Sequence, residues 1–519
     1  MPPSRPKSWP WLQPFSPDLQ VIRPVRRSMT TSNVSGPGGL TDPGAFYRAM
    51  FERRSDAELE RIARVKRFRE RLIADGAFRL ALRSGREAPA GLFARFQVPS
   101  DPEEVRPIWD LPLGHRVWST PELQAWPDVQ LWKGWHEDLV RHRELSTAFP
   151  SLACTDERFV AWRDRQMRRA AGEIGPAHAA INHPLVAYEL SRGCSIGCWF
   201  CGVSAAEFGG ATRFAEQGKL WQDMLVAMVA RFGPAAQTGF CYWATDPVDN
   251  PDYDAFAEEH AAITGCLPQA TTAAPLRDVA FTRRLLRQAE RHRTAGTRFS
   301  VSTLRQLHGI FAAFSARELL GVELVMQMKH SLMPKAVAGR AREKERGEAT
   351  GPDDATTIAC VTGFLVSLPE RTIRLISPCS ASDRWPLGYR IHAEATFQDA
   401  ASYHAAIDGM IESNMAGGPL SAQKLAIRDD LVVMIEGEQV ILSNRHTRYV
   451  LRGQPCLADL FTMLRRSPAT PGDLIAALAR SGHNVFTASA VVADMYDQTF
   501  IEPAIADPSL AAPPVWRVA

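Results

Sequence analysis

From about residue 183 the chain alternates short apolar runs with helical spans, and this alternation restricts its fold more than any other feature. The runs are "LVAYEL" (185–190), "GFCYWAT" (239–245), "LPQATT" (267–272), "RFSVST" (298–303), "VELVMQ" (322–327) and "ACVTGFLV" (359–366), with "TIRLIS" close behind. Between them lie helical stretches at 213–232, 252–263, 277–292 and 304–319. Repeated strand and helix units of this length predict an α/β fold with a parallel sheet, closed or partly closed into a barrel. Chemistry in such a fold gathers at the C-terminal ends of the strands. Directly after the first run comes "ELSRGCSIGCWFCGVSA", which sets three of the nine cysteines, Cys194, Cys198 and Cys201, on that end.

The flanks read differently. At 519 residues the chain has room for two to four domains. Residues 1–42, rich in Pro, Arg and Ser, read as a disordered segment without the apolar run of a secretory signal. Residues 43–180 read as a helical region. It opens on a capping box, Ser55 to Glu58, followed by one apolar face of Leu59, Ile62, Val65, Phe68 and Leu72. Five tryptophans, Trp109, Trp118, Trp126, Trp132 and Trp135, are expected to pack onto the next part of the chain. The barrel is assigned to 181–410, and its charged stretch 329–354 reads as a solvated helix and loop, or as a lid or peptide-docking edge. Residues 411–519 combine a hairpin, "LVVMIEGEQVIL", with short amphipathic helices. One of these carries Thr470 as N-cap and Pro471 at its first position. This is a winged-helix-like module, of a kind that binds peptides, DNA or other domains.

Charge and hydropathy remove some functions. A net charge of +3 is not the footprint of a general nucleic-acid binder, and no apolar stretch is long enough to predict a membrane span. Six of the nine cysteines are scattered singly, which argues against a disulfide framework and for a reducing cytoplasm.

Three thiols on one loop admit two metal chemistries. Structural zinc takes four protein ligands, commonly as two separated pairs, and no second pair exists here. Iron–sulfur clusters are held by cysteine thiolates, normally four to a cubane, so three leave one iron open to a reacting ligand. The spacing Cys194-x3-Cys198-x2-Cys201, with Phe200 before the last cysteine, resembles the radical S-adenosylmethionine superfamily. The resemblance implies a partial (β/α)6 barrel, a [4Fe-4S] cluster on Cys194, Cys198 and Cys201, and S-adenosyl-L-methionine chelated at the open iron. It also implies one-electron cleavage to a 5'-deoxyadenosyl radical, fed by a flavodoxin- or ferredoxin-type electron donor. Ala244, Thr245 and Asp246 stand where the superfamily places its Gly-Gly-Glu-type turn, and Ser302 where it often places a polar contact to the nucleoside or carboxylate.

Four stretches together, "ELSRGCSIGCWFCGVSA", "YWATDPVDNPDY", "TTAAPLRD" and "RLISPCSASDRWPLGY", are similar to the proteusin-type epimerases that mature ribosomally made peptides. The helix pair "RFRERLIADGAFRLAL" resembles the nitrile-hydratase-like leaders of such precursors. The implied reaction removes an α-hydrogen from an L-residue of a bound precursor peptide and returns a hydrogen from the opposite face, giving a D-residue. A thiol suits that return. Among the six cysteines outside the loop, Cys379 is the expected donor, because it follows "TIRLIS" directly and so is expected at the C-terminal end of a barrel strand. Cys241 and Cys360 lie within apolar runs and read as packing residues. Asp383, Arg384 and Tyr389 are candidates to orient the peptide, and the 411–519 module a candidate to bind its leader. Peptide methylation or cross-linking is the rival chemistry, and a non-catalytic peptide-binding protein with a structural cluster the rival class.

Overall fold

The computed structural model describes residues 42–294, 297–345 and 357–504. The segment expected to be disordered, 1–42, lies outside the described residues except for Asp42, whose carboxylate caps the helix Pro43–Glu52. The chain is mixed α/β and divides into two units. One comprises residues up to Phe149 with Asp246–Glu258 and Cys266–Lys335. The other comprises Pro150–Thr245, Glu259–Gly265 and the residues from Ala336 onward. Among the described residues no helix is long and apolar enough to cross a membrane.

The first unit packs helices against a small parallel sheet. The helix Asp56–Ala74 starts at the expected capping box, Ser55 Oγ accepting from Glu58 N–H while Glu58 accepts from Ser55 N–H. Its apolar face is spent in the unit's core: Leu59, Ile62, Val65, Phe68 and Leu72 are all buried, as is Phe78 of the next helix, Gly76–Ser84. The leader-like helix pair is therefore a core element whose apolar side faces inward. The tryptophans join the same core, but they also pack backward: Trp135 meets Phe51 edge to face at 4.9 Å between ring centroids. Strands Thr271–Thr272, Thr297–Val301 and Val322–Met326 pair in parallel in that order. The latter two alternate buried and half-buried residues, the pattern of a sheet covered on one face.

The second unit is built on Val186–Glu189, which pairs in parallel with Gly363–Ser367. The latter is buried at all five positions, as befits a central strand. "GFCYWAT" forms one parallel bridge, Phe240 to Ala187, and then turns away, with Ala244 at a left-handed φ of 51°. "TIRLIS" requires a correction. Its strand, Thr372–Pro378, runs antiparallel to Gly363–Ser367 as the second arm of a hairpin, and Tyr389–Thr396 adds a further antiparallel arm. The four residues between Ser367 and Thr372 are too few for the crossover that a parallel connection requires. Among the described residues the parallel ladders thus form two groups rather than one continuous run of six strands.

Near the C-terminus, Val432–Glu436, Gln439–Ser443 and Arg448–Leu451 make a three-stranded antiparallel sheet. The helices Leu457–Arg466, Pro471–Arg480 and Val485–Asp497 share its core. Thr470 caps the second of them by accepting from Asp473 N–H. Ile501–Pro503 returns to pair with Leu425–Ile427.

Candidate functional site

The cysteine loop leaves the C-terminal end of Val186–Glu189 and is closed at its base by a two-residue antiparallel ribbon, Ser191–Arg192 with Gly210–Ala211. Gly193 takes φ +71°, and a Cβ there would fall 2.1 Å from the Glu207 carbonyl oxygen, so the sharp entry into the loop needs glycine. Within the loop Cys194 N–H donates to Ala206 O, Cys201 N–H to Cys198 O, and Ala205 N–H reaches Cys201 Sγ at 3.4 Å. All three thiols are half-buried, and none of the nine cysteines forms a disulfide. Phe200 stands edge-on to Trp199, 5.5 Å between ring centroids.

The residue that holds this loop from outside was not singled out by the sequence. Arg340, in the helix Gly339–Glu345, donates through its guanidinium to Cys198 O at 2.9 Å and Ala205 O at 2.6 Å, while its backbone N–H donates to Cys201 O at 3.0 Å. The approach is close enough that a Cβ on Gly339, itself at φ +52°, would lie 2.5 Å from Gly202 O. The charged stretch 329–354, expected to be solvated or a lid, therefore gives the loop an anchor in its described part; residues 346–354 lie outside the described residues. One arginine in a run of charges carries no sequence signal for such a role.

Cys379 lies at the end of Thr372–Pro378, and because that strand is antiparallel, its end adjoins the entry of Val186–Glu189 rather than the exit from which the cysteine loop leaves. Cys379 therefore does not lie at the C-terminal end of a parallel barrel strand, the place expected from its sequence position. Packing nevertheless joins the two places. Cys379 is fully buried in an apolar cluster with Ala187, Trp243, Ala359, Trp385 and Tyr389, against which Val203 of the cysteine loop also packs. Cys379 N–H donates to Gly388 O, Gly339 N–H donates to Pro386 O, and so the 379–389 turn touches the helix that anchors the loop. Burial, with Glu173 and Asp429 nearby, pushes the Cys379 thiol up against the opposing pull of Arg169 and Arg390. Tyr389 meets Trp243 edge to face at 5.6 Å. Asp383 is paired with Arg342 at 3.0 Å and Arg384 with Asp429 at 3.7 Å. Trp385 buries an Nε1–H without a partner among the described residues. Cys241 is fully buried, and burial pushes its thiol up; Cys360 is half-buried.

The other expected contacts fall in both units. Ala244 holds the left-handed conformation that a glycine would suit, and Thr245 buries its hydroxyl without a partner among the described residues. Both belong to the unit of the cysteines. Asp246 and Ser302 belong to the first unit. The Asp246 carboxylate is raised by burial and accepts from Val248 N–H at 3.1 Å, Thr272 Oγ at 2.8 Å and Ala273 N–H at 2.7 Å. Ser302 donates through both N–H and Oγ to Gln306, whose amide donates to Ala273 O. Each therefore already has a local structural task.

Among the described residues no group of three or more His, Cys, Asp or Glu side chains converges on a point as a metal site. The loop's donors fit a cluster by type and number rather than by ready-made geometry. They are three half-buried thiols on one braced loop, one receiving a backbone N–H, and they would have to turn toward one another to bind.

No family model matches the chain. It is 43% identical over 397 residues to the uncharacterized protein y4wI of Sinorhizobium fredii, a match covering 75% of this chain and 77% of that one. The chain belongs to the y4wI family. Among solved structures it is similar to BtrN in complex with AdoMet and 2-DOIA, at a TM-score of 0.26 and 13% identity over 37% of this chain and 72% of that one. A likeness that slight defines neither fold nor chemistry.

Proposed function

We propose that this chain is a radical S-adenosylmethionine enzyme, with a partial (β/α)6 barrel as its framework, and that its substrate is a ribosomally made precursor peptide in which it converts L-residues to D-residues. The observation that carries the reading is the pairing of two thiol sites in one unit. Three cysteines stand on a braced loop after a parallel strand, and Val203 of that loop packs on the apolar cluster that buries Cys379. Cys194, Cys198 and Cys201 would hold the [4Fe-4S] cluster. Phe200, Ala244 and Thr245 are the proposed contacts to S-adenosyl-L-methionine within the unit of the cysteines. When bound, the cluster supplies one electron to the sulfonium of that cofactor.

The chain's own part in the chemistry is placement and hydrogen return. The turn after Tyr242 presents Ala244 and Thr245 to the cofactor. The apolar surroundings of Cys379 exclude water and keep its sulfur protonated. Cys379 Sγ–H then gives a hydrogen atom to a peptide α-carbon that has lost one, leaving a sulfur radical that one electron and one proton from the donor protein reset. The 411–519 module is the proposed seat of the leader.

Anaerobic incubation with reductant, S-adenosylmethionine and a candidate precursor in deuterium oxide tests the whole reading. Expected are 5'-deoxyadenosine and D-residues carrying α-deuterium, about one dalton heavier per inverted centre. A peptide gaining about 14 or losing about 2 daltons would replace epimerisation by methylation or cross-linking. No 5'-deoxyadenosine from a protein with its cluster intact would end the enzymatic reading.

A further inference from the structure

The ground beneath Cys379 is charged, and the strand that completes it comes from the far end of the described chain. Arg169, on the helix Glu157–Ile174, is almost fully buried and faces three carboxylates: Glu173 one turn on, Glu502 at 2.8 Å and Asp429 at 3.3 Å. Arg390, equally buried on Tyr389–Thr396, takes Glu502 at 2.5 Å and Asp429 at 3.8 Å. Glu502 thus bridges both guanidiniums from the strand Ile501–Pro503. Glu173 also accepts from Ser380 N–H at 2.9 Å, which fixes the backbone beside the thiol. At the rim Arg384 pairs with Asp429, and Arg445 donates to Ser380 Oγ at 3.3 Å.

Burying this many ions is costly, and packing alone does not ask for it. Burial would raise the Glu502 carboxyl, yet the two guanidiniums hold it well below the usual carboxylate range, so it stays charged. The same two guanidiniums lie close enough to Cys379 to favour its thiolate, and a thiolate has no hydrogen atom to give. Burial is the main influence that holds the proton on Cys379, and cancelling the charge of the two guanidiniums removes the pull against it.

We propose that Glu502 is a positioning residue of the thiol site: by neutralising Arg169 and Arg390 together with Glu173, it keeps Cys379 in its hydrogen-bearing form, which makes the C-terminal module a structural part of the active site. This use of the network rests on the reading of Cys379 as hydrogen donor; the charge balance itself does not. The groups that act on the thiol are Arg169 and Glu173 from the helix, Tyr389 and Arg390 from the strand, and Asp429 from the loop after Leu425–Ile427, while Glu502 from the last described strand acts through the two arginines that it pairs.

The test is the pH dependence of Cys379 alkylation by iodoacetamide, resolved by peptide mass spectrometry on the full cluster-loaded chain. Glu502→Gln is expected to lower the Cys379 midpoint by about one pH unit or more, a tenfold rise in thiolate fraction. Adding Arg390→Met removes the surplus charge and is expected to restore the midpoint. A role in packing alone predicts the opposite, with the double variant further from wild type than the single. Should Glu502→Gln not fold, Glu173→Gln strips a carboxylate from the same arginine and must lower the midpoint too. An unchanged midpoint in whichever of these folds overturns the proposal. A shifted midpoint while α-deuterium incorporation keeps its wild-type pH profile would leave the charge balance standing and remove Cys379 as donor. The reverse, a lowered midpoint with deuterium return failing at lower pH than in wild type, supports both.

Discussion

The cysteine loop and the Cys379 pocket present the same side chain in two opposed settings. On the loop, three thiols stay half-buried, and the order around them comes from backbone: a closed ribbon, a left-handed glycine, and an arginine pulling on carbonyl oxygens. In the pocket a single thiol is fully buried, its own N–H tied to Gly388 O and that of Ser380 to Glu173, and the two arginines near it are paired with carboxylates from three segments. A group that is to be given to a metal needs access and a braced backbone. A group that is to keep its hydrogen needs burial and charge balance. Under the proposed function, the contrast is that of one residue type prepared for two tasks inside one unit, and it is open to attack at several points.

The largest effect separates the two sites outright. Cys198→Ala is expected to abolish 5'-deoxyadenosine formation, a loss of about a thousandfold or more, whereas Cys379→Ala should retain it and lose only deuterium return to the peptide. Equal loss of both products in the two variants would erase the distinction. Next comes the loop's brace. Arg340→Met removes two charge-assisted hydrogen bonds to Cys198 O and Ala205 O, and should cost about 2 kcal/mol in denaturant unfolding and lower the iron bound per chain, while Cys379 alkylation stays as in wild type. Gly339→Ala imposes a Cβ at positive φ against Gly202 O; about 1 to 2 kcal/mol of destabilisation is expected, again with reduced iron content.

The smallest effect concerns the strand end that delivers the loop. Burial raises the Glu189 carboxyl to about 7, so the folded state holds its proton more firmly than the unfolded chain does. Stability from this group is therefore full below the ordinary value of 4.5 and declines as pH rises toward 7. Glu189→Gln should flatten the slope of that part of the stability profile by about 1 kcal/mol per pH unit. A profile of unchanged slope would mean that Glu189 ionises freely in the folded chain.

Local rules carried the sequence reading where the physics is local. The capping box at Ser55, the Thr470 cap, the amphipathic spans and the strands at 186, 297 and 322 are written in neighbouring side chains and could be found there. "TIRLIS" was misjudged because an apolar run has no direction: only its partner shows whether it runs parallel or antiparallel, and that decides which end of the sheet its last residue reaches. The winged-helix-like reading gave the hairpin 432–443 but missed the third strand, Arg448–Leu451, whose charged first residue and short length leave no period-2 signal.

The sequence by itself determined the chemistry on offer: three thiols at fixed spacing on one loop, a strand to deliver them, and a further cysteine after a late strand. These depend on covalent order and on periodicities of a few residues. Only the tertiary structure decided that Arg340 braces the loop, that Cys379 sits at the strand entry yet shares an apolar cluster with Val203, and that Glu502 closes a charge network begun at Arg169. Those contacts join residues more than a hundred positions apart. Their favourable energy comes from burial and charge compensation, which no single stretch of the chain contains.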